Sequence, residues 1–118
     1  MHRNPRLTSA LVLLAVLSPF TACARKSQST APNVVTVTIR DYKFEPETVT
    51  VHEGDTVEWK NVDKVLHTAT ADGQAQKPVF DSGPISPDAA WRYVAGAKGT
   101  YNYICTFHTY MKGQLIVQ

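Results

Sequence analysis

The segment from Cys105 to Met111, near the C-terminus, constrains this chain more than any other feature. It holds a thiol, an imidazole and a thioether, because Cys105, His108 and Met111 follow one another at intervals of three residues. A second imidazole, that of His67, lies far upstream. All four groups are ligands for soft or borderline metal ions. The chain is therefore expected to fold so that residue 67 meets this C-terminal loop.

The chemistry of the four donor groups favours copper. Two imidazoles, a thiolate and a weak axial thioether are the ligands of blue-copper electron-transfer sites. Zinc also binds one cysteine with two histidines, but a thioether adds little to a zinc site. Met111 is the only methionine after Met1, and it occupies the position that an axial ligand requires. The sequence predicts one copper ion per chain, with His67, Cys105, His108 and Met111 as ligands.

Alternation of apolar and polar residues predicts strands along most of the chain after Asn33. The predicted strands are residues 35–40, 48–51, 56–62, 66–70, 90–94, 100–105 and 113–117, with a further short strand at 79–81. Residues 42–46 are expected to turn the chain, and no helical period of any length follows the N-terminal segment. Seven or eight short strands separated by turns predict an all-β fold, an antiparallel β-sandwich of Greek-key type.

The N-terminal residues 1–23 have the pattern of a signal peptide. Arg3 and Arg6 come first, an apolar run follows over residues 7–17, and small residues surround Cys23. This is the order of a secretory signal, and the apolar run is too short to cross a bilayer as a helix. We therefore expect export to the periplasm or the bacterial cell envelope.

Two interpretations of the cleavage site stay open. The segment ending in Cys23 resembles a lipobox, in which Cys23 would carry a lipid and anchor the protein to a membrane. The small residues on either side of Cys23 also fit ordinary cleavage after an A-x-A pattern. In both cases residues 24–33 form a polar linker and residues 34–118 the folded domain.

The charge balance excludes one class of partner. The whole chain has 12 basic and 10 acidic residues, and Arg3 and Arg6 leave with the signal peptide, so 12 − 2 = 10 basic residues remain against 10 acidic ones. A domain with no excess of positive charge lacks the electrostatic footprint of a nucleic-acid-binding protein. Recognition of a protein partner is expected to depend on a local patch of surface instead.

A series of motifs between residues 34 and 118 resembles a known family. The motifs are Phe44-x-Pro46, Val49-x-Val51, Gly54-Asp55-x-Val57-x-Trp59-x-Asn61, His67, Phe80-Asp81-Ser82-Gly83, Gly99-Thr100-Tyr101-x-Tyr103-x-Cys105 and Met111-Lys112-Gly113. In this order they resemble the cupredoxins, the type 1 blue copper proteins, and within them the amicyanin and plastocyanin-like group. The resemblance implies the cupredoxin β-sandwich, and by position it assigns the same four copper ligands.

The resemblance also implies a function, that of a monomeric one-electron carrier. In the family, redox partner proteins dock on an apolar patch around the ligand that corresponds to His108, and here Leu66, Phe107 and Tyr110 could form that patch. One spare histidine, His52, remains after the signal peptide is removed, which is too few for a second copper cluster and argues against an enzyme. The alternatives are a periplasmic copper chaperone or storage protein and an accessory domain of a larger copper enzyme.

One departure from the family pattern concerns the sulfur of Cys105. Relatives of the amicyanin type usually have proline where this chain has Phe107, and proline has no backbone N–H. We therefore expect the amide of Phe107 to donate a hydrogen bond to the Cys105 sulfur. The amide of Thr68, which follows the first ligand, is expected to be a second donor.

Overall fold

A computed structural model describes residues 31–73 and 78–118 of the chain. These residues form eight strands: β1 (Val34–Arg40), β2 (Lys43–Glu45), β3 (Thr48–Val51), β4 (Thr56–Asn61), β5 (Thr70–Ala71), β6 (Ala90–Val94), β7 (Gly99–Ile104) and β8 (Lys112–Val117). The predicted signal peptide, residues 1–23, and residues 24–30 of the predicted linker lie outside the described part. Within the two described ranges, no helix has the length and apolarity needed to cross a membrane.

The strands form two four-stranded sheets, and the predicted β-sandwich is confirmed. One sheet has the order β2-β1-β4-β6 and the other the order β3-β8-β7-β5. The pairs β1/β4 and β3/β8 are parallel, so the sheets are mixed and not antiparallel throughout as predicted. The alternation of a strand reports which face is buried but not the direction of its neighbour. β1 and β4 run parallel because the chain passes through β3, in the opposite sheet, before it returns to form β4 beside β1.

Burial follows the predicted alternation on the strands that line the interior. The buried inward-facing residues of β1, β4 and β8 are Val37, Ile39, Val57, Trp59, Asn61, Leu115 and Val117. Trp59 lies in the middle of the core, with its ring centroid 5.4 Å from that of Tyr103 and 5.5 Å from that of Trp91. Each fully buried large side chain contributes about 1.5–3 kcal/mol, so this aromatic cluster is a main source of the stability that supports both sheets.

The first difference from the predicted elements is the β1–β2 hairpin, where a turn alone was expected. Asp41 and Tyr42 form a two-residue loop with φ of +50° and +58°, the conformation of a type I′ hairpin turn. Asp-Tyr lacks the glycine that usually marks such turns, so this hairpin has no recognisable signal in the sequence. The backbone amides of both residues donate to the carboxylate of Asp63, at 2.7 and 3.0 Å, and hold the turn in place.

The second difference lies in the segment that carries His67, which was predicted to be a strand over residues 66–70. Only Thr70 and Ala71 join a ladder, and His67 makes a single bridge to Ile85. The predicted strand at 79–81 is likewise reduced to one bridge, between Thr70 and Asp81. The amide of Ala69 donates to the hydroxyl of Ser82 at 2.8 Å, a side-chain partner that replaces a ladder bond.

The pairing of Tyr103 with Gly113, in neighbouring strands β7 and β8, fixes the packing directly below the ligand loop. Tyr103 is fully buried, and burial raises the pKa of its phenol to about 12. Its ring lies over Gly113, so that a Cβ added to the glycine would collide with the ring. The glycine is therefore required here for space.

We expect Gly113→Ala to destabilise the fold, because the ring of Tyr103 must move out of a well-packed core. Overpacking of this kind costs about 1–3 kcal/mol. The measurement is the midpoint of guanidinium unfolding, with an unchanged m value. Gly73→Ala is the matched control, since no atom of the residues that the structure describes lies within 4 Å of a Cβ added at Gly73. Equal midpoints for the two variants would contradict the prediction.

Candidate metal centre

Three of the four predicted ligands come together at one end of the sandwich. The ligand atoms of His67, Cys105 and His108 all lie within 4.8 Å of one another. The Nδ1 atom of each histidine is 3.7 Å from Sγ of Cys105. His67 and Cys105 are fully buried, whereas His108 is partly exposed. The structure thus brings together two ring nitrogens and one sulfur, as the sequence predicted.

The spacing of these atoms suits one metal ion bound by all three residues. Bonds of about 2.0 Å to nitrogen and about 2.3 Å to sulfur place the two ligand atoms about 3.5–3.7 Å apart for angles between tetrahedral and 120°. Both nitrogen–sulfur pairs are 3.7 Å apart. A trigonal arrangement of two histidines and one cysteine is the blue-copper pattern. The donor set therefore fits one copper ion per chain.

The loop before His67 is held by Asn61, at the end of β4. Asn61 is fully buried, and its side-chain amide donates to the carbonyl oxygens of Val65 and Ile85 at 2.8 and 3.0 Å. Its side-chain oxygen accepts the amide of Asp63 at 3.0 Å. A buried asparagine with its donors and its acceptor all used is costly to disturb. These three hydrogen bonds hold the loop that leads to His67 in place.

The ligand loop between β7 and β8 folds back on itself. The amide of Cys105 donates to the carbonyl of Met111 at 3.2 Å, and the amide of Met111 donates to the carbonyl of His108 at 2.8 Å. Met111 is only 2% exposed. These bonds place the three residues of the motif in one compact turn. The role of Met111 as the axial ligand stays a prediction.

The hydrogen bond expected at the cysteine sulfur comes from Thr68. Its amide donates to Sγ of Cys105 at 3.4 Å, across the gap between two segments that are distant in sequence. Among the hydrogen bonds of the described residues, none joins the amide of Phe107 to that sulfur, so the expectation for Phe107 is wrong. Instead, Phe107 lies at the surface with 52% of its area exposed.

Asp63 is the main residue of the site that the sequence did not indicate. Its carboxylate lies 2.8 Å from Nε2 of His67, the ring nitrogen that points away from the cysteine. Partial burial by itself would raise the pKa of Asp63, but hydrogen bonds from the amides of Tyr42 and Asp41 and from His67 outweigh it and hold the pKa below its usual value. An aspartate four residues before a histidine in a loop has no recognisable periodicity, so only the fold reveals this contact.

The surface next to His108 is apolar, as expected from the resemblance. Leu66, Phe107 and Tyr110 are 44%, 52% and 68% exposed. Pro87 and Val65 extend the same surface and, with Leu66 and Phe107, line a shallow depression beside His108. We call the five residues Val65, Leu66, Pro87, Phe107 and Tyr110 the apolar rim.

The hydroxyl of Thr68 joins the two segments of the site a second time. It accepts the amide of Thr106 at 2.8 Å and lies 3.1 Å from the hydroxyl of Thr106. We expect Thr68→Val, which keeps the shape and the Thr68 amide but removes this acceptor, to lower the free energy of unfolding by about 1–3 kcal/mol. Chemical denaturation of the copper-loaded protein measures this change.

Thr50→Val is the matched control for this substitution. Thr50 is exposed on β3, and none of the hydrogen bonds described involves its hydroxyl. It should leave the stability unchanged. A Thr68→Val protein as stable as the Thr50→Val protein would show that the hydroxyl does not hold the two segments together.

Relatives of known identity share the sequence pattern over most of this chain. The family model of the cupredoxin-like domain matches residues 10–117. Amicyanin from Paracoccus versutus is 31% identical over 87 residues, which cover 73% of this chain and 66% of that protein. Amicyanin-alpha from Methylorubrum extorquens is 27% identical over 117 residues, which cover 92% of this chain and 98% of that protein.

Solved structures share the fold. A methionine-to-alanine mutant of amicyanin with Cu(I) gives a TM-score of 0.65 at 26% identity, over 72% of this chain and 82% of that one. A copper-containing nitrite reductase from Thermus scotoductus gives a TM-score of 0.66 at 31% identity, over 74% of this chain but only 23% of that one. The donor set, the β-sandwich and the family match over residues 10–117 agree, and the chain belongs to the cupredoxin-like family.

Proposed function

We propose that this protein is a one-electron carrier with a single type 1 copper site. The observation that carries the proposal is the position of both Nδ1 atoms at 3.7 Å from Sγ of Cys105, in a buried frame of hydrogen bonds. The copper ion, when bound, supplies the exchange of one electron between its Cu(II) and Cu(I) states. His67, Cys105 and His108 would hold the ion, and by family pattern Met111 would be the fourth ligand.

The role of the protein is to keep the donor atoms in one place. Cu(I) and Cu(II) prefer different geometries, and a site with fixed ligands reduces the rearrangement that accompanies each electron. Cys105 and His67 have no exposed surface, so water has no direct access to the sulfur. The hydrogen bond from Thr68 to that sulfur draws charge from the thiolate, which favours the reduced metal.

We further propose that electrons enter and leave at the apolar rim. His108 is the only one of the three clustered ligands with exposed surface, and the rim surrounds it. A small apolar contact suits brief encounters between redox proteins, in which the buried area is low and release is fast. The partner proteins belong to the dehydrogenase, cytochrome or oxidase type, and the carrier itself acts as a monomer.

The export of the protein is part of the same proposal. The pattern of residues 1–23 supports a periplasmic or cell-envelope location, with or without a lipid on Cys23. The relatives named amicyanin support a carrier and not an enzyme. The likeness to one part of a nitrite reductase keeps the accessory domain of a larger copper enzyme as the second candidate.

Optical titration tests the carrier directly. We expect the copper-loaded protein to hold one copper per chain and to show an intense visible band from the thiolate–Cu(II) bond, which one electron removes and reoxidation restores. Cys105→Ser should abolish the band, because the thiolate is its source. Met111→Leu should keep the band and change the reduction potential, since the axial ligand tunes it. A colourless protein that binds only Cu(I) would favour the chaperone or storage alternative.

Electron self-exchange between two copies tests the rim without a known partner. We expect Phe107→Glu to slow self-exchange by about tenfold or more, because like charges then face each other at the contact. NMR line broadening in mixtures of reduced and oxidised protein measures the rate. Val94→Glu adds the same charge at a similarly exposed residue, 61% against 52%, at the opposite end of the sandwich. Equal slowing in both variants would contradict docking at the rim.

A further inference from the structure

The carboxylate of Asp63 links three parts of the metal centre that are separate in sequence. One oxygen accepts the amide of Asp41 at 2.7 Å. The other oxygen accepts the amide of Tyr42 at 3.0 Å and lies 2.8 Å from Nε2 of His67. The side chain of Asp63 is only 12% exposed, so these contacts are largely shielded from water.

We propose that Asp63 is a positioning residue of the copper site, which orients His67 and holds the turn that places Tyr42 against both histidine ligands. The inference rests on the proposed copper site, but not on the identity of any redox partner. It gives the β1–β2 turn a role in the metal centre, although the turn is not part of the four-ligand motif.

The first step of the argument concerns the tautomer of His67. An ionised carboxylate only accepts hydrogen bonds. The contact at 2.8 Å therefore requires the proton of the neutral imidazole to be on Nε2. The lone pair is then on Nδ1, which is the nitrogen that faces Sγ of Cys105 at 3.7 Å. Asp63 thus selects the tautomer in which His67 is ready to bind a metal ion.

The second step concerns Tyr42, whose ring packs edge-on against both imidazoles. Its centroid is 5.4 Å from that of His67 and 4.9 Å from that of His108, and both interplanar angles are 88°. Edge-to-face packing is a favourable arrangement of aromatic rings. The ring of Tyr42 therefore restrains both histidines.

The third step explains why Tyr42 can occupy this place. A φ of +58° is unfavourable for a bulky residue. Hydrogen bonds to an ionised carboxylate are about twice as strong as those between neutral groups, and two of them hold the Asp41–Tyr42 turn. Asp63 therefore stabilises the backbone conformation from which the ring reaches the histidines.

The fourth step gives the electrochemical consequence. A carboxylate that accepts the second N–H of a metal-bound histidine makes that histidine a stronger donor, and loss of such a group typically costs about 10- to 100-fold in metal affinity. A stronger donor and a nearby negative charge both favour Cu(II) over Cu(I). Asp63 should therefore lower the reduction potential of the site.

Asp63→Asn tests the proposal in the copper-loaded protein. The amide has the same shape but no charge, and it has one acceptor oxygen in place of two, so its NH₂ group faces a donor, either the amide of Asp41 or Nε2 of His67. We expect about a 10- to 100-fold loss of Cu(II) affinity in competition with a chelator, and a shift of the midpoint potential to higher values in voltammetry. The visible band should remain, because Cys105 is unchanged.

Asp55→Asn is the matched control. Asp55 also accepts two backbone amides, those of Asn33 at 2.9 Å and His52 at 2.8 Å, and these bonds lower its pKa. It is only 7% exposed, but it lies at the opposite end of the sandwich from the ligands. Asp55→Asn should lose stability and keep the potential and the Cu(II) affinity of the unchanged protein. Equal potentials in the Asp63→Asn and Asp55→Asn proteins would overturn the proposal.

Three further variants separate the two effects of Asp63. Tyr42→Ala removes the ring and should speed the loss of copper to a chelator, and Tyr42→Phe, which keeps the ring, should lose copper more slowly than Tyr42→Ala. Asp63→Glu keeps the charge and should recover the potential in part. Identical copper loss from the Tyr42→Phe and Tyr42→Ala proteins would remove Tyr42 from the proposal.

NMR of the unchanged protein before copper is added provides a test that needs no substitution. We expect a slowly exchanging proton on Nε2 of His67, held by the carboxylate, and a proton on Nδ1 instead would overturn the proposal. Failure of the proposed function is a separate result, since it appears as a missing visible band in the unchanged protein. Failure of the present inference leaves that band intact.

Discussion

The meeting of His67 with Cys105, two residues 38 positions apart in the chain, is the contact on which the rest of the structure depends. Neither residue is exposed, and the two belong to segments that leave different strands. Where a thiol and an imidazole are buried side by side, the backbone N–H and C=O groups around them are buried too and need hydrogen-bond partners, which a frame of neighbouring residues must supply. Thr68 supplies part of that frame, because its amide donates to the sulfur and its hydroxyl accepts the next amide of the ligand loop.

The frame extends from the site into the core. Asn61 ends a core strand and holds the loop before His67, while Tyr103 lies two residues before Cys105 and packs against Trp59. The ligands are therefore attached to the most deeply buried part of the sandwich. A site attached in this way resists the changes in geometry that the two oxidation states of copper would otherwise produce. The edge around His108, where we propose that a partner docks, is the part left at the surface.

Some parts of this arrangement could be predicted from local patterns. Strands β1, β4 and β8 follow the alternation of their residues, and the three-residue spacing of Cys105, His108 and Met111 marks the ligand loop. The segment of His67 was wrongly predicted as a strand, because residues 67–69 are buried on an irregular loop in which the amides of Thr68 and Ala69 bond to side chains. The donor expected at Phe107 was also wrong, since the direction of a loop amide depends on the closure of the whole loop.

The sequence by itself determined the class of fold, the donor atoms and the metal that suits them, because these depend on residue type and on spacing along one chain. Only the tertiary structure decided that β1 and β4 run parallel and that Thr68 donates to the sulfur. It also decided that Asp63 joins His67 to the turn of Tyr42. These contacts link residues from separate strands and loops, and the periodicity of the sequence does not indicate them. Their distances are set by how the two sheets pack around Trp59, which is a property of the folded chain as a whole.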